Sequence, residues 1–133
     1  MRIATWNVNN VNKRLPLLLA WMDATKPKVV ALQELKTTEG EFPRAELEAA
    51  GYGSLVVGQK TWNGVALLAR GSNPVAVRRS LPGDAGDDQA RYLEAAIEGV
   101  LVGLALSAQR QPVAGAKVRL QGRLVRATHQ ACC

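Results

Sequence analysis

Histidine, cysteine and aromatic residues are scarce in this chain. Its 133 residues include one histidine, two cysteines and one phenylalanine, and aromatics make up only 5%. The single histidine, His129, and both cysteines, Cys132 and Cys133, sit in the last five positions. Adjacent cysteines do not readily share one relaxed disulfide, and no second Cys/His cluster stands at metal-ligand spacing, so nothing supports a disulfide framework or a zinc site. Long apolar runs are missing as well, which leaves no candidate membrane span. The N-terminus does not read as a signal peptide: Arg2 precedes a short apolar run that gives way to Asn7, Asn9, Asn10 and Asn12. The expectation is a cytoplasmic protein with no membrane association. Acid is lacking in one place only. Residues 106–133 carry five Lys/Arg and no Asp or Glu, a net +5, and no Phe, Tyr or Trp, whereas residues 1–105 carry twelve against eleven, a net +1. The overall +6 therefore comes mostly from the tail, and so sharp a break in composition marks a different kind of sequence.

What is present is a globular pattern. Apolar content is 47%, and the length suffices for one domain with a core of its own. Residues 2–6 read as a strand with Asn7 at its exit, and Val29 to Leu32 as a second, continuously apolar strand with Gln33-Glu34 at its exit. Between them, Leu15, Leu18, Leu19 and Met22 have helical spacing, with Pro16 placed in the first turn and Lys26-Pro27 stopping the helix near Thr25. Asn9, Asn10 and Asn12 read as a polar loop. Strand, helix, strand in one such span is a βαβ unit with parallel neighbouring strands. Chemistry in open α/β sheets collects at the carboxyl ends of strands, which puts Asn7 and Glu34 on one rim. Further on, residues 42–51 read as a short helix, with Pro43 in its first turn and Gly51 as its stop. Short strands follow at residues 54–57, 64–70 and 75–79. Residues 81–90 read as a loop, and strands at 91–97 and 100–106 flank a tight Glu98-Gly99 turn. The expected result is a mixed α/β sheet with helices on one face.

The segment Met-Arg-Ile-Ala-Thr-Trp-Asn-Val-Asn at residues 1–9 resembles the opening of the exodeoxyribonuclease III family of apurinic/apyrimidinic DNA repair nucleases. Val30-Ala31-Leu32-Gln33-Glu34-Leu35-Lys36 resembles its second motif, Gly58-Gln59-Lys60-Thr61-Trp62-Asn63-Gly64-Val65-Ala66-Leu67-Leu68 its third, and Gln89-Ala90-Arg91-Tyr92-Leu93-Glu94-Ala95 its fourth. Four motifs in order are specific where any one alone is weak. The resemblance runs from Met1 to about Gly103 and implies roughly one half of a four-layer α-β-β-α sandwich, since the family chain is about twice this length. It implies a usually monomeric, Mg²⁺-dependent (or Mn²⁺-dependent) hydrolase acting on double-stranded DNA at abasic sites and 3′ ends. It also implies that Glu34 is a metal ligand and that Asn7 hydrogen-bonds within the catalytic centre. Asn9 matches a variable active-site position, and Arg91 a candidate contact to DNA phosphate. On the residues alone, plainer readings stand beside these: a solvated loop glutamate, a turn-forming asparagine and a surface strand charge. Lys13, Arg14 and Lys60 could add backbone contacts, which are sequence-independent and salt-sensitive, or could be solvated charges. Trp6, Trp21 and Trp62 read as core or sheet-face residues rather than base-stacking platforms.

The family's general base and its partners lie in a Gly-Asp-x-Asn segment and a late Asp-His pair, and this sequence contains neither. Where the family continues Leu-Tyr-Leu-Pro-Asn-Gly-Asn, this chain reads Ala105-Leu106-Ser107-Ala108-Gln109-Arg110-Gln111-Pro112. The codons GCT CTA TCT GCC CAA CGG CAA CCC encode that stretch, and read one base later they give Leu-Tyr-Leu-Pro-Asn-Gly-Asn. The same shift continues to Cys133 and yields a family-like segment throughout. Residues 1–105 are therefore read as the N-terminal half of the family domain. Residues 106–133 are read as a basic, disordered tail translated out of frame near residues 103–105. Half a sandwich should expose an apolar sheet face, favouring aggregation and marginal stability. The competing reading is a non-catalytic nucleic-acid-binding fragment using Arg110, Lys117, Arg119, Arg123 and Arg126. Resequencing the locus tests the frame reading. The expected result is an open neighbouring frame that runs on into Gly-Asp-x-Asn and Asp-His segments; a clean, unshifted frame ending at Cys133 would refute it.

Overall fold

The computed structural model describes residues 1–80, 83, 86, 88–105, 117–120 and 123–126. The βαβ unit forms as the sequence pattern implies. Strand β1 (Ile3–Asn7) runs parallel to β2 (Val29–Gln33), with Ile3 opposite Val29 and Asn7 opposite Gln33. Helix α1 (Val11–Thr25) crosses between them. It starts four residues before the first apolar position assigned to it from sequence, because Asn10 is an N-cap and not a loop residue. The Asn10 side chain accepts a hydrogen bond from the Lys13 amide at 3.2 Å. Asn12 therefore belongs to the first turn and Pro16 to the second, where its missing N–H leaves the Asn12 carbonyl without its helical partner. The helix ends as expected, with Lys26 in the left-handed conformation donating to the Met22 carbonyl ahead of Pro27.

Helix α2 (Arg44–Ala49) is shorter than the expected span and has Pro43 at its N-cap. Strands β3 (Tyr52–Val57) and β4 (Val65–Arg70) complete a four-stranded sheet in the order β1-β2-β4-β3, antiparallel except for the first pair. The single mixed sheet expected from sequence is in fact two sheets. β5 (Val75–Arg78), β6 (Tyr92–Ile97) and β7 (Val100–Ala105) form a separate antiparallel sheet, with Glu98-Gly99 as the two-residue turn between the last two.

Burial shows why the second sheet stacks on the first instead of extending it. β2 is buried at all five positions and β4 at five of six, so both faces of the first sheet need cover. On one face Trp6, Val30, Leu32, Val56, Ala66 and Leu68 pack against Leu18 and Met22 of α1 and Leu47 of α2. On the other face Val29, Ala31, Leu55, Val65, Leu67 and Ala69 pack against Leu93, Ala95, Ile97, Val102 and Leu104. The alternation along β6 is that of a strand with one buried face. The apolar face expected to lie open on the first sheet is thus closed by residues of the same chain. β5 is the open edge of the second sheet, and its Val75 and Val77 are exposed. At the end of the first sheet away from Asn7, the Tyr52 hydroxyl donates to the Pro27 carbonyl at 2.8 Å, and burial pushes its pKa up against the opposing pull of Arg70 and Arg2.

Within the stretch expected to be disordered, β8 (Lys117–Leu120) and β9 (Arg123–Arg126) pair antiparallel; the rest of that expectation lies outside the described residues. No helix among the described residues is long and apolar enough to cross a membrane.

Leu93→Ala tests the stacking. Leu93 is fully buried between the sheets, so truncation should cost about 2–5 kcal/mol in urea unfolding. A loss below about 1 kcal/mol would mean that the second sheet does not cover the first.

Candidate functional site

The candidate site is built on the far side of the β1–β2 pairing. The two segments stay hydrogen-bonded beyond their strand ends: the Val8 amide donates to the Gln33 carbonyl (3.0 Å), Asn10 to Glu34 (2.9 Å) and Val11 to Leu35 (3.0 Å). The second loop is fixed in turn to the β3–β4 loop, by Leu35 N–H to the Gly64 carbonyl (3.2 Å) and Lys36 N–H to the Asn63 carbonyl (3.1 Å). Gly64 N–H then donates to the Ala90 carbonyl at 3.0 Å, just before β6. Four separate segments of sequence are joined into one rim by main-chain bonds.

Close approach makes this possible. A Cβ on Gly64, whose φ is +88°, would lie 2.9 Å from the Leu35 Cβ. A Cβ on Gly58 would lie 2.6 Å from the Glu39 amide nitrogen. The tight loops leave their mark on the backbone. Asn9, Asn10, Glu34, Lys36, Thr61 and Asn63 all have positive φ. Asparagine tolerates that region, but Glu34 (52°), Lys36 (51°) and the β-branched Thr61 (75°) do not do so freely. Each costs on the order of 1 kcal/mol and persists only because the surrounding bonds hold it.

Strand parity places the Asn7 side chain on the same sheet face as Thr5 and Gln33, toward the second sheet. Its Oδ1 accepts from the Asn9 amide at 3.2 Å. Gln33 is buried, and its Nε2 donates to Thr5 Oγ1 (2.7 Å) and to the Ala31 carbonyl (2.9 Å), so it serves the sheet and not the surface. Glu34 is half-buried one residue further on, and its carboxylate makes no hydrogen bond or ion pair among the described residues. Asn9 is exposed, and its Oδ1 accepts from Lys36 Nζ across the two loops. Asn12 Nδ2 donates to Thr37 Oγ1 at 3.2 Å and ties the start of α1 to the same loop.

Arg91 is half-buried at the entrance to β6, and its amide donates to the Gln89 carbonyl at 2.9 Å. Main-chain bonding through Ala90 and Gly64 brings its segment to the Glu34 loop. The rim therefore gathers the four residues singled out from sequence, with Asn7 and Glu34 on adjacent strand exits. Trp62 departs from expectation. Trp6 and Trp21 are packed together edge-to-face at 5.4 Å, but Trp62 lies in the β3–β4 loop, is 49% exposed, and has Lys36 Nζ 5.8 Å from its ring centre. Sequence reasoning also missed Gln59 and Gln89. Their only signal was position, since each falls inside a motif noted for other residues.

Two stacked sheets with helices on an outer face, and amide, carboxylate and cationic groups at the exits of adjacent parallel strands, define an α/β sandwich with its candidate chemistry on one rim. The chain belongs to the Endonuclease/Exonuclease/phosphatase family, which it matches over residues 4–131. It is 36% identical over 98 residues to exodeoxyribonuclease III of Haemophilus influenzae, a match covering 74% of this chain and 36% of that protein. Among solved structures it is similar to the 3′-5′ exonuclease NExo of Neisseria meningitidis, at 37% identity and a TM-score of 0.77, covering 84% of this chain and 45% of that one. A second NExo structure, described as a 3′ phosphatase bound to a product DNA hairpin, superposes with a TM-score of 0.78 at the same identity and coverage. An AP endonuclease from Archaeoglobus fulgidus is 32% identical with a TM-score of 0.74, over 80% of this chain and 40% of that one. The chain thus spans less than half the length of these relatives.

The geometry assigns Glu34 a backbone conformation that glycine would adopt more easily. Glu34→Gly should leave stability unchanged or raise it by up to about 1 kcal/mol. A loss of more than about 1 kcal/mol in thermal unfolding would show that the carboxylate supports the fold.

Proposed function

We propose that residues 1–105 are the N-terminal part of a divalent-cation-dependent DNA hydrolase of exodeoxyribonuclease III type. Its substrates are phosphoester bonds at 3′ ends and abasic sites of double-stranded DNA. The observation that carries this reading is Glu34, a carboxylate held in a costly backbone conformation at the strand exit adjacent to that of Asn7, with no partner among the described residues. Strain of this kind with no packing return is characteristic of functional positions. The names and ligand of the Neisseria relative support the substrate class.

The donor set fits a hard cation. One uncommitted carboxylate, with amide oxygens in the same rim, suits Mg²⁺ or Mn²⁺, which bind through one or two carboxylates and keep much of their water. The described residues hold no cluster of three or more His, Cys, Asp or Glu, so an all-protein cage is not available among them. Bound at Glu34, the ion would supply charge neutralisation at the phosphoryl group. The chain's own residues do the positioning. With its Oδ1 engaged by the Asn9 amide, Asn7 retains its Nδ2 as a donor toward a phosphate oxygen or a catalytic partner. The Lys36–Asn9 contact keeps the two strand-exit loops together. Arg91, Lys13, Arg14 and Lys60 contribute sequence-independent phosphate contacts.

These 133 residues are proposed to be inactive by themselves, because the general base and its orienting partners fall outside them. The out-of-frame origin of residues 106–133 is part of the proposal, although the family match extends across them. An end-labelled duplex with a recessed 3′ end or an abasic site, incubated with Mg²⁺, provides the test. The 133-residue chain should show no turnover above buffer, as a missing general base alone removes a factor of about 10²–10⁴. The product of the frame-restored gene should cleave, and Glu34→Gln in that product should lower kcat by roughly a hundredfold or more. Full activity in the Glu34→Gln protein would refute the ligand assignment.

A further inference from the structure

Three carboxamides meet beside the rim. Gln59 Nε2 donates to Gln89 Oε1 at 3.0 Å, Asn63 Nδ2 donates to the same oxygen at 2.9 Å, and Asn63 Nδ2 also reaches Gln59 Oε1 at 3.3 Å. Gln59 Oε1 accepts in addition from the Ala90 main-chain amide at 2.9 Å. Gln59 is the hub, since it bonds both other carboxamides and the main chain of the segment preceding β6. On its other side, Gln59 forms an isolated bridge to Thr37, in the loop that carries Glu34 and Lys36.

The cluster closes a loop that is strained and exposed. Between Gln59 and Gly64 the chain passes through positive φ at Thr61 and Asn63, and it presents Lys60, Thr61 and Trp62 to solvent. Within this excursion the Trp62 amide donates to the Lys60 carbonyl at 2.9 Å. The Asn63 and Gly64 carbonyls at its end are the acceptors for Lys36 and Leu35, so the position of this loop and that of the Glu34 loop are set together. An unfavourable backbone persists only where neighbours over-determine it, and the neighbours here are the three carboxamides.

We propose that the Gln59–Asn63–Gln89 cluster is a positioning device: it sets the Lys60–Trp62 loop against the Glu34–Lys36 loop, so that the two form one surface for a nucleic-acid backbone, and Gln59 is the positioning residue on which the arrangement depends. The nucleic-acid part rests on the function proposed above; the coupling of the loops does not.

The 133-residue chain itself, with Gln59→Ala and Gln59→Glu variants, is examined by amide hydrogen exchange and by anisotropy titration with a labelled duplex bearing a recessed 3′ end. Gln59→Ala should speed exchange at Ala90, Gly64 and Lys36 while leaving Val30 and Leu68 protected, and should raise the duplex Kd by about tenfold, the value of roughly one charge-assisted or two ordinary hydrogen bonds. Gln59→Glu gives a signature that simple loss of packing would not. Above the carboxylate range it can accept from Ala90 and Asn63 but cannot donate to Gln89, so Gly64 and Lys36 should exchange faster, as in the alanine variant, while Ala90 stays protected. Below that range the protonated acid donates again, and protection relative to the parent at the same pH should return. A flip of the Gln89 amide would not rescue the charged form, because it would turn a donor toward the Asn63 donor. Unchanged exchange at the three amides, faster exchange spreading to Val30 and Leu68, or no recovery at acid pH would each overturn the cluster's role. Expected exchange behaviour in a parent that fails to bind the duplex would overturn the nucleic-acid part, while the loop coupling would stand; the proposed function itself is decided by cleavage with the frame-restored product.

Discussion

Everything at the rim depends on the continuation of the β1–β2 pairing past the ends of both strands. Parallel strands bring their carboxyl ends to the same side, so Asn7 and Gln33 sit in register. That alone would leave two free loops. Main-chain bonds from Val8, Asn10 and Val11 to Gln33, Glu34 and Leu35 convert them into one ordered ledge. Holding this ledge requires Glu34 and Lys36 in left-handed conformations, and the ledge in turn fixes Gly64 and, through it, Ala90. The site is thus a property of backbone connectivity more than of side-chain packing. Glycine at positions 58 and 64 is needed because another segment of the same chain passes within van der Waals distance.

The core explains how so much strain is tolerated. The first sheet is buried on both faces, by the helices on one side and by β6 and β7 on the other. A sheet clamped in this way cannot relax by shifting register, since a one-residue slip would move Leu32 and Leu68 to the wrong face. Several kcal/mol of apolar burial therefore stand behind a few unfavourable backbone positions. The same arrangement shows why a chain spanning 36–45% of the length of its relatives still closes a two-sided core around its first sheet.

Much of this was legible in the sequence. An apolar run ending in a polar residue marked the exits of β1 and β2 and put Asn7 and Glu34 side by side. Lys26-Pro27 marked the end of α1, and Glu98-Gly99 marked a hairpin. The start of α1 was not legible, because Asn10 as a cap and Asn10 as a loop residue look alike until the Lys13 amide is in place. The division into two sheets was also hidden. Alternation along β6 shows that one face is buried, but whether a strand extends a sheet or lies across it depends on the path of the chain between β4 and β6. Trp62 reads from sequence as a core or sheet-face residue because a large aromatic usually packs, and only the loop geometry lifts it into solvent. Gln59 and Gln89 carried no signal beyond their places in two motifs, since carboxamides have no periodicity and their significance lies in contacts between residues 30 positions apart.

Glu34, without a partner among the described residues, is proposed to bind a divalent cation. Titration of the 133-residue chain with Mn²⁺, followed by electron paramagnetic resonance of the free ion, tests it most directly, because it requires neither DNA nor turnover. One saturable site is expected in the parent chain, lost in Glu34→Gln while the fold measured by circular dichroism is retained. Equal binding in the two proteins, or no site in the parent, would contradict it.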